Sequence, residues 1–212
     1  MNTLKIGWAS RDVSTEKPVN IPGQFHMRIS EGIMDPVTVS ALVIDNGSDA
    51  VIFLSADLVV IRSGLLDEIR AKVAKSNRQI PVMKILMNAT HTHTGPSHYE
   101  EGKDKNNNIP TPMISEVPHE GVEIDSSDEY RDFLSTKACE AICEAYEKLA
   151  EGGIAYGYGY AVASHSRRVV YFDDTSMRPD AIINSTHGLS GHAAMYGNTN
   201  GDNFSHYEAG AE

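Results

Sequence analysis

Two apolar runs, "VTVSALVID" (37–45) and "AVIFLSADLVVI" (50–61), stand on either side of "NGSD", and a third, "VMKILMNA" (82–89), follows after one helical stretch. Asn46-Gly47 is a strong hairpin signal, because both residues tolerate a positive φ. The first two runs are therefore expected to pair as antiparallel strands. They are apolar at nearly every position, which predicts burial on both faces, as in the middle of a layered sheet. Between the second and third runs, Ser63 can cap a helix of about a dozen residues. That helix would carry Leu66, Ile69 and Val73 on one face, place Lys75 and Arg78 near its end, and stop at Pro81. Strand, helix, strand in that order is a βαβ unit, so the expected class is α/β with mixed, layered sheets and flanking helices.

Other elements fit around this nucleus. "LKIGWASRDV" alternates over Leu4, Ile6 and Trp8 and makes a first strand. Residues 14–36, with Pro18, Pro22, Gly23 and Pro36, read as a long irregular segment of the kind that is usually functional or disordered. Residues 100–125 read as an extended surface loop. Ser126-x-x-Glu129 is a capping box. It opens a helix through Tyr130, Phe133, Leu134, Ala138, Ala141, Ile142, Ala145 and Leu149, with Gly152-Gly153 as its stop. "IAYGYGYAVA" is expected to be a strand with Tyr156, Tyr158 and Tyr160 on one face, a pattern of sheet packing more often than of a ligand platform. The last forty residues lack periodicity, with no terminal helix or strand to close a core. The expectation is one incomplete domain over 1–212, the amino-terminal part of a longer protein.

Composition narrows the function. The formal charge of −11 excludes a nucleic-acid surface, which needs a basic stripe. Cys139 and Cys143 share a helix face and read as small core residues, not as a disulfide framework. No apolar stretch approaches the ~20 residues of a membrane span. The start lacks the apolar core and cleavage site of a signal peptide. As written the chain reads as cytoplasmic, or as secreted or periplasmic had a leader been removed.

The chemistry concentrates in "MNATHTHTGPSH", residues 87–98. If the strand from Val82 runs through Thr90, His91 and His93 project together from its carboxyl end, where active sites of open α/β sheets collect. His-x-His is a natural two-point contact for zinc, and Thr90, Thr92 and Thr94 can orient imidazoles or bond a substrate carbonyl. Gly95-Pro96 turns the chain away and leaves the histidines at a mouth. The same residues also fit a hydrogen-bonded surface loop.

"NATHTHTGPSH" resembles the "ATHTHSGPGG" signature of the neutral/alkaline ceramidase family, zinc-dependent amidases that cleave the N-acyl bond of ceramides. Three further stretches agree in order: "IPGQFHMRISEGIMDPVTVSALVID", "VIFLSADLVVI" and "SHSRRVVY". The resemblance covers about residues 4–172. It is stronger to bacterial ceramidase-like proteins of unassigned substrate than to the ceramide-cleaving enzymes themselves.

What the resemblance implies is a zinc-dependent amidohydrolase acting on a lipid or small-molecule N-acyl substrate. His91 would be the first zinc ligand and His93 the neighbouring imidazole on the reacting carbonyl. Arg167, with Arg168 as the alternative, would be the arginine that meets the substrate's oxygens. Asp57 would hold a histidine tautomer from a strand end. Without the resemblance, Asp57 reads as a strand-end cap and the arginine pair as a solvated edge. The chain departs from the family in Thr94, which stands for a serine, in Ser97 and His98, which stand for Gly-Gly, and in "SHSRR", which lacks an asparagine. His187, His192 and His206 lack the family's His-Pro context, so the second ligand is expected beyond Glu212. The alternatives are a zinc hydrolase of another small amide or ester, and a non-catalytic binding domain that keeps the scaffold.

Overall fold

The computed structural model describes residues 3–23, 28–62, 64–76, 79–99, 123–161, 168–173, 192–195 and 204–207. They belong to two compact units, Met1–Ile154 and Ala155–Glu212.

The first unit is built on five strands: β1 (Lys5–Asp12), β2 (Thr38–Asp45), β3 (Ala50–Ala56), β4 (Ile85–Ala89) and the short β5 (Ala150–Glu151). Their order is β4-β3-β2-β1-β5, with β3 and β4 parallel and the other neighbours antiparallel. Helix α1 (Leu65–Lys75) connects β3 to β4, so the expected βαβ unit is present, and helix α2 (Ser127–Glu147) leads to β5. The class is mixed α/β, as the sequence implied.

Local chemistry explains the elements. The β2–β3 connection is a four-residue loop in which only Gly47 has a positive φ, at 84°. Asn46 Oδ1 accepts from Ser48 N at 2.9 Å, Ser48 Oγ at 2.8 Å and Asp49 N at 2.9 Å, closing the loop as an Asx turn. Helix α1 starts behind Gly64 with no side-chain cap, and the expected cap Ser63 lies outside the described residues. Its buried face is Leu65, Ile69 and Val73, with Leu66 only half-buried. Helix α2 opens on the expected capping box between Ser126 and Glu129 but ends at Lys148, because residues 150 and 151 leave the helix to pair with β1. Cys143 is in the core and Cys139 is half-buried at its margin.

The core lies on one side of the sheet. Ala9, Val39, Ala41, Val43, Ile52 and Leu54 face α2 and α1, which contribute Leu134, Ala138, Ala141 and Ile142 with Leu65, Ile69 and Val73. In β1 the small residues Gly7 and Ala9 turn inward and Trp8 turns outward. The reason is the closeness of α2: a Cβ on Gly7 would lie 2.1 Å from the carbonyl oxygen of Ala145. The expectation that both faces are buried is therefore corrected. Leu42 and Phe53 are exposed on the opposite face, since α1 and α2, the helices among the described residues, pack on the same side.

Among residues 14–36 the described ones, 14–23 and 28–36, are irregular as expected, and a bridge between Asn20 and Ile29 is the one pairing among them. The strand expected over 154–163 is not formed among its described residues: 154–161 are irregular, and Tyr156, Tyr158 and Tyr160 are exposed. Alternating tyrosines have β-propensity but form a strand only where another strand is at hand to pair. Most of the 100–125 loop lies outside the described residues.

The second unit contains a three-stranded antiparallel sheet: β6 (Arg168–Tyr171), β7 (Ala193–Met195) and β8 (Phe204–Tyr207), in the order β7-β6-β8. The last forty residues, expected to lack a periodic pattern and a terminal strand, carry β7 and β8. Strands of three and four residues are too short to leave a periodic signature.

Candidate functional site

The candidate site forms where β3 and β4, parallel neighbours, end side by side. Beyond them Thr90 N donates to Ala56 O and His91 N to Leu58 O, each at 3.0 Å, so the two chain ends run on together for two more residues. Strand β4 itself stops at Ala89. The histidines therefore do not project by strand alternation. His91 takes a left-handed backbone, φ 64°, and the chain turns through residues 92–95. Non-glycine residues adopt that conformation rarely, with histidine among the more tolerant, and such strain collects at functional sites.

The turn brings the two imidazoles together. His91 Nε2 and His93 Nε2 are 3.3 Å apart, with ring centroids 4.9 Å apart and planes at 81°. His91 Nδ1 sits 2.6 Å from the carbonyl oxygen of Val59. A carbonyl can only accept, so Nδ1 carries the proton and Nε2 presents its lone pair. His93 is held from behind. Gly23, at φ 110°, packs so closely that a Cβ there would lie 2.6 Å from His93 Nδ1. Arg28 Nη2 donates to the carbonyl of His93 and, at 3.3 Å, to that of Pro22. Neither Gly23 nor Arg28 was singled out as a site residue; the signals were the Pro- and Gly-rich character of 14–36 and the resemblance carried by the stretch that begins "IPGQFHMRISEG".

Asp57 stands at the end of β3 as expected. Its Oδ2 accepts from Thr38 N at 2.8 Å and Thr38 Oγ1 at 3.0 Å, and its Oδ1 accepts from Thr90 Oγ1 at 3.1 Å. These bonds tie β2, β3 and the start of the histidine loop together. The contact that orients His91 comes from Val59 instead. Gly95 makes the next tight approach, since a Cβ there would lie 2.4 Å from the carbonyl oxygen of Asp57. Arg167 lies outside the described residues, as does His187. Arg168, His192 and His206 belong to the second unit.

A cleft of about 540 Å³ opens beside the histidine loop. Ile21, Met34, Pro36 and Val37 supply apolar wall, while Thr92 and Thr94 reach it from either side of His93 in the chain. That size and mixture suit a small organic ligand or part of a chain-like one. Among the described residues, no three His, Cys, Asp or Glu side chains gather to hold a metal ion. The two imidazoles supply a pair of nitrogen donors of the right kind for zinc.

His98, a few residues on, is buried at 1% exposure, and its Nε2 accepts from Arg62 N at 3.2 Å. Its ring meets Tyr99 edge-on at 5.2 Å, and the Arg62 guanidinium lies 4.9 Å from the centre of the Tyr99 ring. Burial pushes the His98 pKa down to about 4, with help from the positive charges of Arg131 and Arg62. A base whose folded pKa is depressed stabilises the fold fully above its unfolded pKa of about 6.5 and loses that contribution as pH falls toward 4. Urea unfolding is therefore expected to lose about 3 kcal/mol from this group between pH 6.5 and the acid end. His98→Gln, which keeps an acceptor but cannot titrate, should lose less over the same window. Parallel pH profiles for the two proteins would sink this reading.

Comparison with known proteins adds the fold. No family model matches the chain, and no curated protein matches it in sequence. Among solved structures it is similar to the neutral ceramidase of Pseudomonas aeruginosa, with a TM-score of 0.54 and 17% identity over 81% of this chain. It is similar to a ceramidase complexed with C2 by the same measures. The chain spans 23% of the length of each of those chains. At that identity the likeness is one of fold alone. No helix among the described residues is long and apolar enough to cross a membrane.

Proposed function

We propose that this chain carries part of the active site of a ceramidase-like, zinc-dependent amidohydrolase that cleaves an N-acyl amide bond. The observation that supports it most is the meeting of His91 Nε2 and His93 Nε2 at 3.3 Å with the first ring's tautomer fixed by Val59. Two ligands of one tetrahedral zinc, bound at ~2.0–2.1 Å, stand roughly 3.3 Å apart. In this reading His91 holds the ion through Nε2, and Val59 keeps the proton on the far nitrogen. Zinc, when bound, supplies a Lewis acid and lowers the pKa of its water toward neutrality. His93 either shares the ion or donates to the substrate's carbonyl oxygen as charge develops there. The resemblance to the ceramidase family assigns Arg167 to that oxygen, and the cleft lined by Ile21, Met34 and Val37 takes the acyl chain. The remaining zinc ligands are assigned outside the described residues. Asp57 acts through Thr38 and Thr90, fixing the strand ends that carry the loop.

A second reading, a small water-soluble N-acyl substrate, is favoured by the hydroxyls of Ser14, Thr15, Ser30, Thr92 and Thr94 around the same cleft. The test begins with the metal. Zinc titration of the chain, followed by imidazole NMR signals, is expected to give one site per chain that His91→Ala abolishes. If His93 is a ligand, His93→Ala weakens the site at least tenfold; if it serves the carbonyl, zinc binding survives. An absence of zinc-dependent change at His91 overturns the reading. Fatty-acid release from an N-acyl sphingoid amide, compared with a soluble N-acyl amine in the zinc-loaded protein, separates the two substrate classes.

A further inference from the structure

The sheet face turned away from α1 and α2 carries its side chains in level rows. Trp8, Leu42, Phe53 and Leu86 are successive register partners across β1, β2, β3 and β4. All four are exposed, at 69%, 37%, 42% and 54%. The next row toward the histidine loop is Ser10, Ser40, Ser55 and Asn88. It is joined by a Ser10–Ser40 hydroxyl hydrogen bond of 2.7 Å and by Asn88 Nδ2 donating to Ser55 Oγ at 3.2 Å. On the other side of the apolar row lie Ile6, Ile44 and Val51, half-buried. None of these side chains is charged, although the chain has 18 Lys and Arg and 29 Asp and Glu. An anionic membrane or a nucleic acid would need a cluster of cations here, whereas Lys84, just before β4 at the edge of the Val51 row, is paired with Asp49 at 2.9 Å. Apolar and small uncharged rows are instead what one sheet presents to another at ~10 Å.

We propose that this face docks on the same face of a second copy of the chain, giving a dimer with the two sheets stacked. A two-fold axis parallel to the strands, placed between Leu42 and Phe53, lays Trp8 of one copy over Leu86 of the other and Leu42 over Phe53. Apolar row then meets apolar row and hydroxyl row meets hydroxyl row, the self-complementarity that an isologous interface requires. Charge points to the same face. Two chains of formal charge −11 repel over most of their surface, and these rows let them touch without opposing like charges. Four strands at ~4.8 Å and three rows at ~6.8 Å make a patch roughly 20 Å square. With side-chain relief included, the pair buries roughly 1,000 Å², the lower limit for a specific interface. The dimer is accordingly concentration-dependent.

Light scattering from about 1 µM to about 200 µM is expected to move the mass from 23.1 kDa toward twice that value. Trp8 is the only tryptophan, so its emission should shift to the blue in step with the mass. Leu86→Glu and, independently, Ser40→Glu should each raise the dissociation constant at least tenfold, with folding checked by circular dichroism. Lys75→Glu, an exposed position on α1, should leave it unchanged. A mass of 23.1 kDa at every concentration overturns the proposal, whether Trp8 emits as exposed or as covered by the chain itself. So does association that proceeds with Trp8 emission unchanged or that ignores both glutamates.

Discussion

Gly7→Val is expected to destabilise the first unit by more than about 3 kcal/mol, enough to leave much of the protein unfolded in mild urea. The atoms a side chain would meet are backbone: Ala145 O at 2.1 Å and Leu149 N at 3.0 Å from the position of the new Cβ. No rotamer relieves that, so α2 must lift from β1. Lifting it uncovers Leu134, Ala138, Ala141 and Ile142, which are fully buried against the sheet. The counterpart is Gly153→Val, where nothing lies within 4 Å, and a change within about 0.5 kcal/mol is expected. Urea midpoints for the two variants read the contrast directly. Equal midpoints would mean that α2 slides along the sheet at little cost.

Gly95→Ala is the second large effect, and it acts on the site. The added methyl would lie 2.4 Å from Asp57 O and 3.3 Å from Thr92 Cγ2, so the histidine loop must move away from the end of β3. That movement pulls on Thr90, whose hydroxyl donates to Asp57, and on His91, whose ring is set by Val59. A loss of about 2 kcal/mol is expected, with separation of the two imidazoles. The second effect is seen as loss of the proton–proton NMR contact between the His91 and His93 rings. A variant that keeps both the ring contact and wild-type stability would remove Gly95 from the account of the site.

The parts of the fold legible in the sequence are those written in local chemistry. The hairpin at Asn46-Gly47, the βαβ unit and the Ser126 capping box depend on residues close in the chain, and all three are present. What was not legible depends on distant partners. The run "VTVSALVID" gives no indication that Leu42 faces outward, because that follows from both helices packing on one side. The tyrosines at 156, 158 and 160 alternate as a strand does, yet a strand needs an edge to pair with. The site divides in the same way. That His91 and His93 belong together could be read from their spacing. That they meet through a left-handed turn, with Val59, Gly23 and Arg28 as supports, could not, since those residues come from other segments.

The left-handed backbone at His91 also limits how the position can be rewritten. Asn and Asp tolerate φ near 64° and keep a donor atom, so under the proposed zinc reading they are the substitutions through which a different metal preference could be explored. Thr and Val are excluded by their branching at Cβ, whatever chemistry they would bring. Glycine would relax the chain and leave no ligand. The alphabet available at this position is therefore set by backbone stereochemistry before any demand of catalysis is considered.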